Sequence, residues 1–200
     1  MILHAIVADA AMAGWAAEHG ATVVQLRLKE VDTAERVRVG REVLGSVGER
    51  CLLVMNDDVE AAAALGLAVH LGQDDPGVEA ARRLGLGFGR SAASVEEAAR
   101  AEQEGAFYVG AGAVWDTPSK PDAGPAIGIA GLAAICRTVS IPVVAIGGVN
   151  SDNAAPCIAA GAAGVAVIRA IDELPRLREV LEAAAAERGA AALRRVAPGP

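Results

Sequence analysis

The residues that could do chemistry fall in short clusters, each placed directly after a β-branched run. Gln25-Leu26-Arg27-Leu28-Lys29-Glu30 is the first, and alternation along an extended chain puts Gln25, Arg27 and Lys29 on one side, facing inward. Three inward polar side chains need a ligand or partner carboxylates, because burying them unpaired is costly. Asn56-Asp57-Asp58 and His70-Leu71-Gly72-Gln73-Asp74-Asp75 follow the next two runs. Carboxylates from neighbouring strand ends can share a hard cation such as Mg2+, which takes oxygen ligands and keeps waters or substrate phosphates in its shell. Asp57 and Asp75 are the candidate ligands, while Asp58 and Asp74 are expected to cap the helices that follow. Spacing alone leaves the metal and cap readings equally open.

Further along, Gly110-Ala111-Gly112-Ala113 leads into Trp115-Asp116-Thr117-Pro118-Ser119-Lys120, a loop carrying hydroxyls and a lysine. Ser91, in Gly89-Arg90-Ser91, follows another run, where serine is more often a turn or cap residue than a ligand contact. Ile146-Gly147-Gly148-Val149 presents bare backbone N–H groups at a helix start, and Val167-Ile168-Arg169 adds a cation. Backbone donors at a helix N-terminus bind phosphate. Two anion sites result. Arg27, Lys29 and Lys120 near two carboxylates suit a metal-bound diphosphate, and Gly147-Gly148 with Arg169 suits a monophosphate. No Ser or Cys is paired with a base in a triad-like pattern, and no His cluster is present. That pattern favours stabilising a leaving group over attack by a protein nucleophile.

The elements that must position these clusters alternate along the chain. Strands are expected at 3–7, 22–28, 51–55, 68–71, 86–89, 107–109, 142–146 and 165–168. Helices are expected at 10–19, 33–44, 59–65, 78–84, 95–104, 130–137, 152–160 and 175–188, with Ser94 and Glu97 forming a capping box. Eight strand–helix units imply a parallel sheet covered on both faces, and one TIM-type (β/α)8 barrel over 1–188 is the α/β architecture predicted. An open doubly wound sheet is the competitor, but Val7-Ala8-Asp9-Ala10 after the first strand offers no Gly-rich phosphate fingerprint. Residues 189–200 read as a frayed tail. In a parallel barrel the ends of the strands form the reactive face, which is where every cluster above falls.

Composition narrows the function classes. The 200 residues are 53% hydrophobic but only 2% aromatic, so the core must pack small and β-branched side chains. The net charge of −7 argues against a nucleic-acid partner, which calls for a basic footprint. Sixteen of the 18 basic residues are Arg, leaving Lys29 and Lys120 as the only lysines, both in the clusters above. Cys51, Cys136 and Cys157 read as buried reduced thiols of a cytoplasmic protein, and no signal peptide or membrane span is expected.

Taken in order, these motifs resemble thiamine-phosphate synthases. The likeness is carried by Gln25-Leu26-Arg27-Leu28-Lys29, Asn56-Asp57-Asp58-Val59, His70–Asp75, Thr117-Pro118-Ser119-Lys120-Pro121-Asp122 and Ala145–Val149, and it continues through Asp152-Asn153-Ala154 to Gly164–Val167. The resemblance implies a (β/α)8 transferase that joins hydroxymethylpyrimidine diphosphate to a thiazole phosphate and releases pyrophosphate. It assigns Gln25, Arg27, Lys29, Asn56 and Lys120 to the pyrimidine diphosphate, with Arg27, Lys29 and Lys120 as the catalytic cations. It further assigns Asp57 and Asp75 to Mg2+, Ser91 to the pyrimidine, and Thr117, Ser119, Gly148, Ile168 and Arg169 to the thiazole phosphate. Ser119 stands where the family usually has threonine, and Arg169 where it usually has serine. A homodimer is what the family suggests. Two rival readings are a thiazole tautomerase, whose histidine would fall at Ala113, and a non-catalytic thiazole-phosphate-binding protein.

Overall fold

A computed structural model describes residues 1–119 and 124–196; Lys120 lies outside the described residues. Eight parallel strands close into a barrel in sequence order, β1 (Ile2–Val7), β2 (Val23–Leu26), β3 (Leu52–Asn56), β4 (Ala68–Leu71), β5 (Phe88–Ala92), β6 (Tyr108–Ala111), β7 (Val143–Ala145) and β8 (Gly164–Val167), with β1 pairing β8. The helices between and after them are α1 (Ala10–Glu18), α2 (Thr33–Val47), α3 (Val59–Leu65), α4 (Val78–Arg83), α5 (Val95–Gln103), α6 (Gly128–Thr138), α7 (Ala154–Ala159) and α8 (Leu174–Val196). The (β/α)8 expectation holds, and closure rules out the open sheet.

Strand alternation separates two cores. Outward residues such as Leu3, Leu26, Met55, Leu71, Val109 and Val165 join the main cluster against the helices. Inward residues form a smaller layer, Ile6, Tyr108, Val144 and Ala166, with Ile146 and Ile168 packed against it. Closing β1 onto β8 requires Gly164, because a Cβ there would meet the Ile2 carbonyl oxygen at 1.9 Å. Asp9, Asp32, Asp58 and Ser94 accept hydrogen bonds from first-turn N–H groups of α1, α2, α3 and α5, each cap contributing about 1 kcal/mol. The capping box at α5 is offset by one residue: Ser94 accepts from the Glu97 N–H, but Glu97 accepts from Ala93.

Several boundaries differ from the sequence reading. β5 begins at Phe88 and extends to Ala92, so Ser91 is a strand residue; its ladder is made by backbone groups, which Gly89 supplies as well as any residue. β2 ends at Leu26, two residues early. α8 runs to Val196 rather than stopping at 188, as its Ala-rich continuation favours. Asp74 does not cap α4, whose N-cap position is Gly77 with no side-chain bond; the turn from Gly72 to Gly77 separates them. All three cysteines are free, but only Cys157 is buried, Cys51 and Cys136 being partly exposed.

Candidate active site

The ends of the strands open onto a cavity of about 760 Å³ lined by both groups of predicted anion-binding residues. Its walls differ in character because of what each strand turns inward. β1 to β6 contribute Ile6 but otherwise His4, Gln25, Asn56, His70, Ser91 and Tyr108, whereas β7 and β8 with the residues just after them contribute Val144, Ile146, Ala166 and Ile168. One half of the barrel interior is therefore mainly polar and the other aliphatic.

The polar half is a connected network. Gln25 donates from its amide to the Asn56 side-chain oxygen. His70 reaches the Tyr108 hydroxyl through Nδ1 at 2.7 Å and the Ser91 hydroxyl through Nε2 at 3.0 Å. Gly89 makes room for Tyr108, since a Cβ there would meet the phenol ring at 2.0 Å. His4, on β1, is buried beside Gln25, and among the described residues its Nε2 meets no partner at hydrogen-bonding geometry. Burial, and then the nearby His70, push the His4 imidazole down to about 3, so it stays neutral at ordinary pH. Nothing in the sequence marks Tyr108, His70 or His4 as a site residue, since a lone histidine on an apolar strand is more often a packed one.

Above this floor stand the carboxylates. Asp57 follows β3 with φ 63, a left-handed conformation that Asp tolerates better than most residues and that takes its side chain out of the strand direction. Its carboxyl lies near that of Asp75 in the cavity wall; burial first, and the Asp75 charge second, raise Asp57 to about 6. Asp75 Oδ2 also accepts from the Gly72 N–H at 2.6 Å. Asp58 points the other way. It caps α3 and pairs with Arg36 at 3.2 Å, so its carboxyl lies below the usual carboxylate range. The structure thus separates the two neighbouring acids into a helix cap and a cavity ligand. Asp74, exposed, also lines the cavity.

Arg27 lines the same region. Lys29 does not: β2 has already ended, alternation no longer governs, and the side chain is exposed and off the cavity wall. The expectation that Lys29 faces inward is corrected on that ground.

Opposite the carboxylates lie Thr117, Ser119, Gly147, Gly148, Ile168 and Arg169. Gly147 and Gly148 have φ of 93 and 66, and added Cβ atoms would meet Ala113 at 2.5 Å and Trp115 at 2.8 Å. The glycines are therefore demanded by how closely the turn after β7 packs on the turn after β6, as well as by access to their N–H groups. The Gly148 carbonyl accepts from Asn153 Nδ2 at 2.9 Å, and Glu173 accepts from the Ser151 N–H at 2.8 Å. Of the residues assigned from the sequence, Gln25, Arg27, Asn56, Asp57, Asp75, Ser91, Thr117, Ser119, Gly148, Ile168 and Arg169 are brought to one cavity.

Oxygen-only donors at Asp57 and Asp75 suit Mg2+, which needs few protein ligands and takes the rest from water and phosphate. Asp57 stays raised although Arg27 and Arg36 act on it, so a divalent ion at the two carboxylates would relieve a repulsion that these arginines do not cancel. Among the described residues no group of three or more His, Cys, Asp or Glu forms a self-sufficient metal cage.

A (β/α)8 barrel whose strand ends open on a polar cavity has the architecture of an enzyme, with its candidate residues on the face where such barrels carry their active sites. Residues 5–171 match the model of the thiamine monophosphate synthase family, and the chain belongs to that family. It is 48% identical over 162 residues to a thiamine-phosphate synthase of Roseiflexus sp. (strain RS-1), covering 78% of this chain and 68% of that protein. It is 45% identical over 158 residues to the synthase of Moorella thermoacetica, covering 76% and 75%. The solved thiamine phosphate pyrophosphorylase from Pyrococcus furiosus superimposes with a TM-score of 0.84 at 35% identity, over 92% of this chain and 96% of that one.

Proposed function

We propose that this cavity joins hydroxymethylpyrimidine diphosphate to a thiazole phosphate, producing thiamine phosphate and pyrophosphate. The observation that carries the reading is the pairing of Asp57 with Asp75, beside Arg27, in the same cavity as the Gly148 and Arg169 wall. The diphosphate lies at the carboxylate end, held by Gln25, Arg27, Asn56 and Lys120. Lys29 takes part only by swinging its flexible stem over the mouth. The pyrimidine ring descends to Ser91, and Thr117, Ser119, Gly148, Ile168 and Arg169 hold the thiazole phosphate.

Asp57 and Asp75 would hold Mg2+, which when bound neutralises charge on the departing pyrophosphate. The reaction is dissociative. The bond between the methylene carbon and the diphosphate oxygen breaks with its electron pair leaving on pyrophosphate. The thiazole nitrogen then donates its lone pair to that carbon. Arg27 and Lys120 stabilise the developing negative charge, each such contact contributing about 3 kcal/mol in the transition state. The aliphatic half of the barrel interior limits water that would otherwise capture the pyrimidinylmethyl cation.

The deciding experiment incubates the purified protein with both substrates and Mg2+ and measures thiamine phosphate and pyrophosphate, then repeats with EDTA. Metal-dependent formation of both products is expected. Product in EDTA would remove the role given to Asp57 and Asp75, and absence of product would overturn the synthase reading.

A further inference from the structure

We propose that Arg90 is the positioning residue that sets the Asp75 carboxylate against Asp57, by clamping the loop between β4 and α4 from behind. The inference rests on the reading of Asp57 and Asp75 as cation ligands. Arg90 lies on β5 next to Ser91, and alternation turns Ser91 into the cavity and Arg90 away from it, toward the helix layer. An arginine is rarely buried without charge partners, yet Arg90 is only 7% exposed. Its Nη1 donates to the carbonyl oxygens of Gly72 at 2.7 Å and Asp75 at 3.1 Å, and its Nη2 donates to that of Gln73 at 2.7 Å. Its Nε faces Glu104 Oε2 at 3.2 Å, just beyond the end of α5.

Three of the four carbonyls from Gly72 to Asp75 are thus held by one guanidinium, which itself forms an ion pair with the residue that ends α5. The same turn is closed from inside, where Asp75 Oδ2 accepts from the Gly72 N–H at 2.6 Å. Both ends of the turn are therefore fixed, and the carboxylate between them has little freedom to withdraw from Asp57. Gly72 fits this closure, since a Cβ there would lie 2.8 Å from Asp75 Oδ2. A planar fork can span three carbonyls, whereas a lysine ammonium offers its donors from a single nitrogen. Residues that orient a metal ligand from behind typically change metal affinity by about 10–100-fold when removed. Arg90 lines a separate small crevice with Glu104, and it does not line the main cavity.

The test titrates Mn2+ into the wild-type protein and into Arg90→Lys, Asp75→Asn and the double variant, with pyrophosphate present, following free Mn2+ by electron paramagnetic resonance. Thiazole-phosphate affinity is measured in parallel by calorimetry. Arg90→Lys is expected to weaken Mn2+ about tenfold or more, to leave thiazole-phosphate affinity unchanged, and to add nothing in the Asp75→Asn background. Wild-type Mn2+ affinity in Arg90→Lys would overturn the proposal. So would an equal loss in the Asp75→Asn background, or a matching loss of thiazole-phosphate affinity, either of which marks a merely structural role. If Arg90→Lys does not fold, Glu104→Ala frees the fork from its anchor; a severalfold weaker Mn2+ affinity supports the clamp and an unchanged one overturns it. Failure of the wild type to bind Mn2+ would instead overturn the cation reading itself, and the role of Arg90 with it.

Discussion

The carboxyl of Asp57, after β3, lies near that of Asp75, in the turn after β4, and Asp57 is raised to about 6 by burial and by that neighbour's charge. A raised carboxylate means that the folded protein binds a proton the unfolded chain has already lost. The stability of the metal-free protein from this pair is present at low pH and is lost as pH rises from about 4 through about 6. Asp57→Asn removes the repulsion. In EDTA the variant is expected to melt above the wild type at pH 8, with the gap closing toward pH 4, while its Mn2+ affinity falls at every pH. Thermal unfolding across that range checks it, and a variant less stable than wild type at pH 8 would contradict the pairing.

Lys120 is assigned to the departing diphosphate. Lys120→Ala is expected to lower kcat by about 100-fold, the scale of one lost transition-state donor, with thermal stability little changed. Near-wild-type turnover in a folded Lys120→Ala protein would sink the assignment.

His4 titrates in the opposite direction from Asp57. Its folded value of about 3 lies below the ordinary histidine value of 6.5, because the imidazole is buried. The unfolded chain therefore takes up a proton first, so this residue's share of stability is present above pH 6.5 and is lost as pH falls toward 3. The slope for a single proton is about 1.4 kcal/mol per pH unit. Urea unfolding of His4→Gln and wild type at pH 7, 6, 5 and 4 should show the variant losing stability less steeply. Parallel slopes would mean that His4 is protonated in the folded state.

Asp58 combines a cap with an ion pair. It accepts from the Ala61 N–H at 2.8 Å and the Thr33 hydroxyl at 2.7 Å, and it meets Arg36 at 3.2 Å. Asp58→Ala removes the cap of α3 and leaves Arg36 unpaired, and is expected to destabilise by about 2 kcal/mol. Because its contacts run to the helix layer, Mn2+ affinity should change far less than for Asp57→Asn. Chemical denaturation beside the Mn2+ titration separates the two adjacent acids.

Much of the site was legible because strand ends announce themselves. Runs such as Leu52–Met55 and Val143–Ala145 are apolar on both faces, and the polar or glycine-rich cluster after each had to lie at the same end of a parallel barrel. Gln25, Arg27, Asn56, Asp57 and Asp75 converge for that reason. Alternation misplaced Lys29 because it holds only while the chain is extended, and β2 stops at Leu26. His4, His70 and Tyr108 carry no such signal, because parity places them inward but does not say whether the inside is filled with hydrocarbon or with polar groups.

Sequence by itself determined the eight units, their order, the cap of α5 at Ser94, and the two lysines among 16 arginines. These follow from local periodicity and local hydrogen bonding. Tertiary structure alone decided that Asp57 enters the cavity while Asp58 turns to α3 and Arg36, and that one half of the barrel interior is mainly polar. It also decided that Arg90 grips the Asp75 loop from outside the barrel. Each of these depends on contacts between elements far apart in the chain, at distances of a few ångströms that no spacing along the sequence encodes.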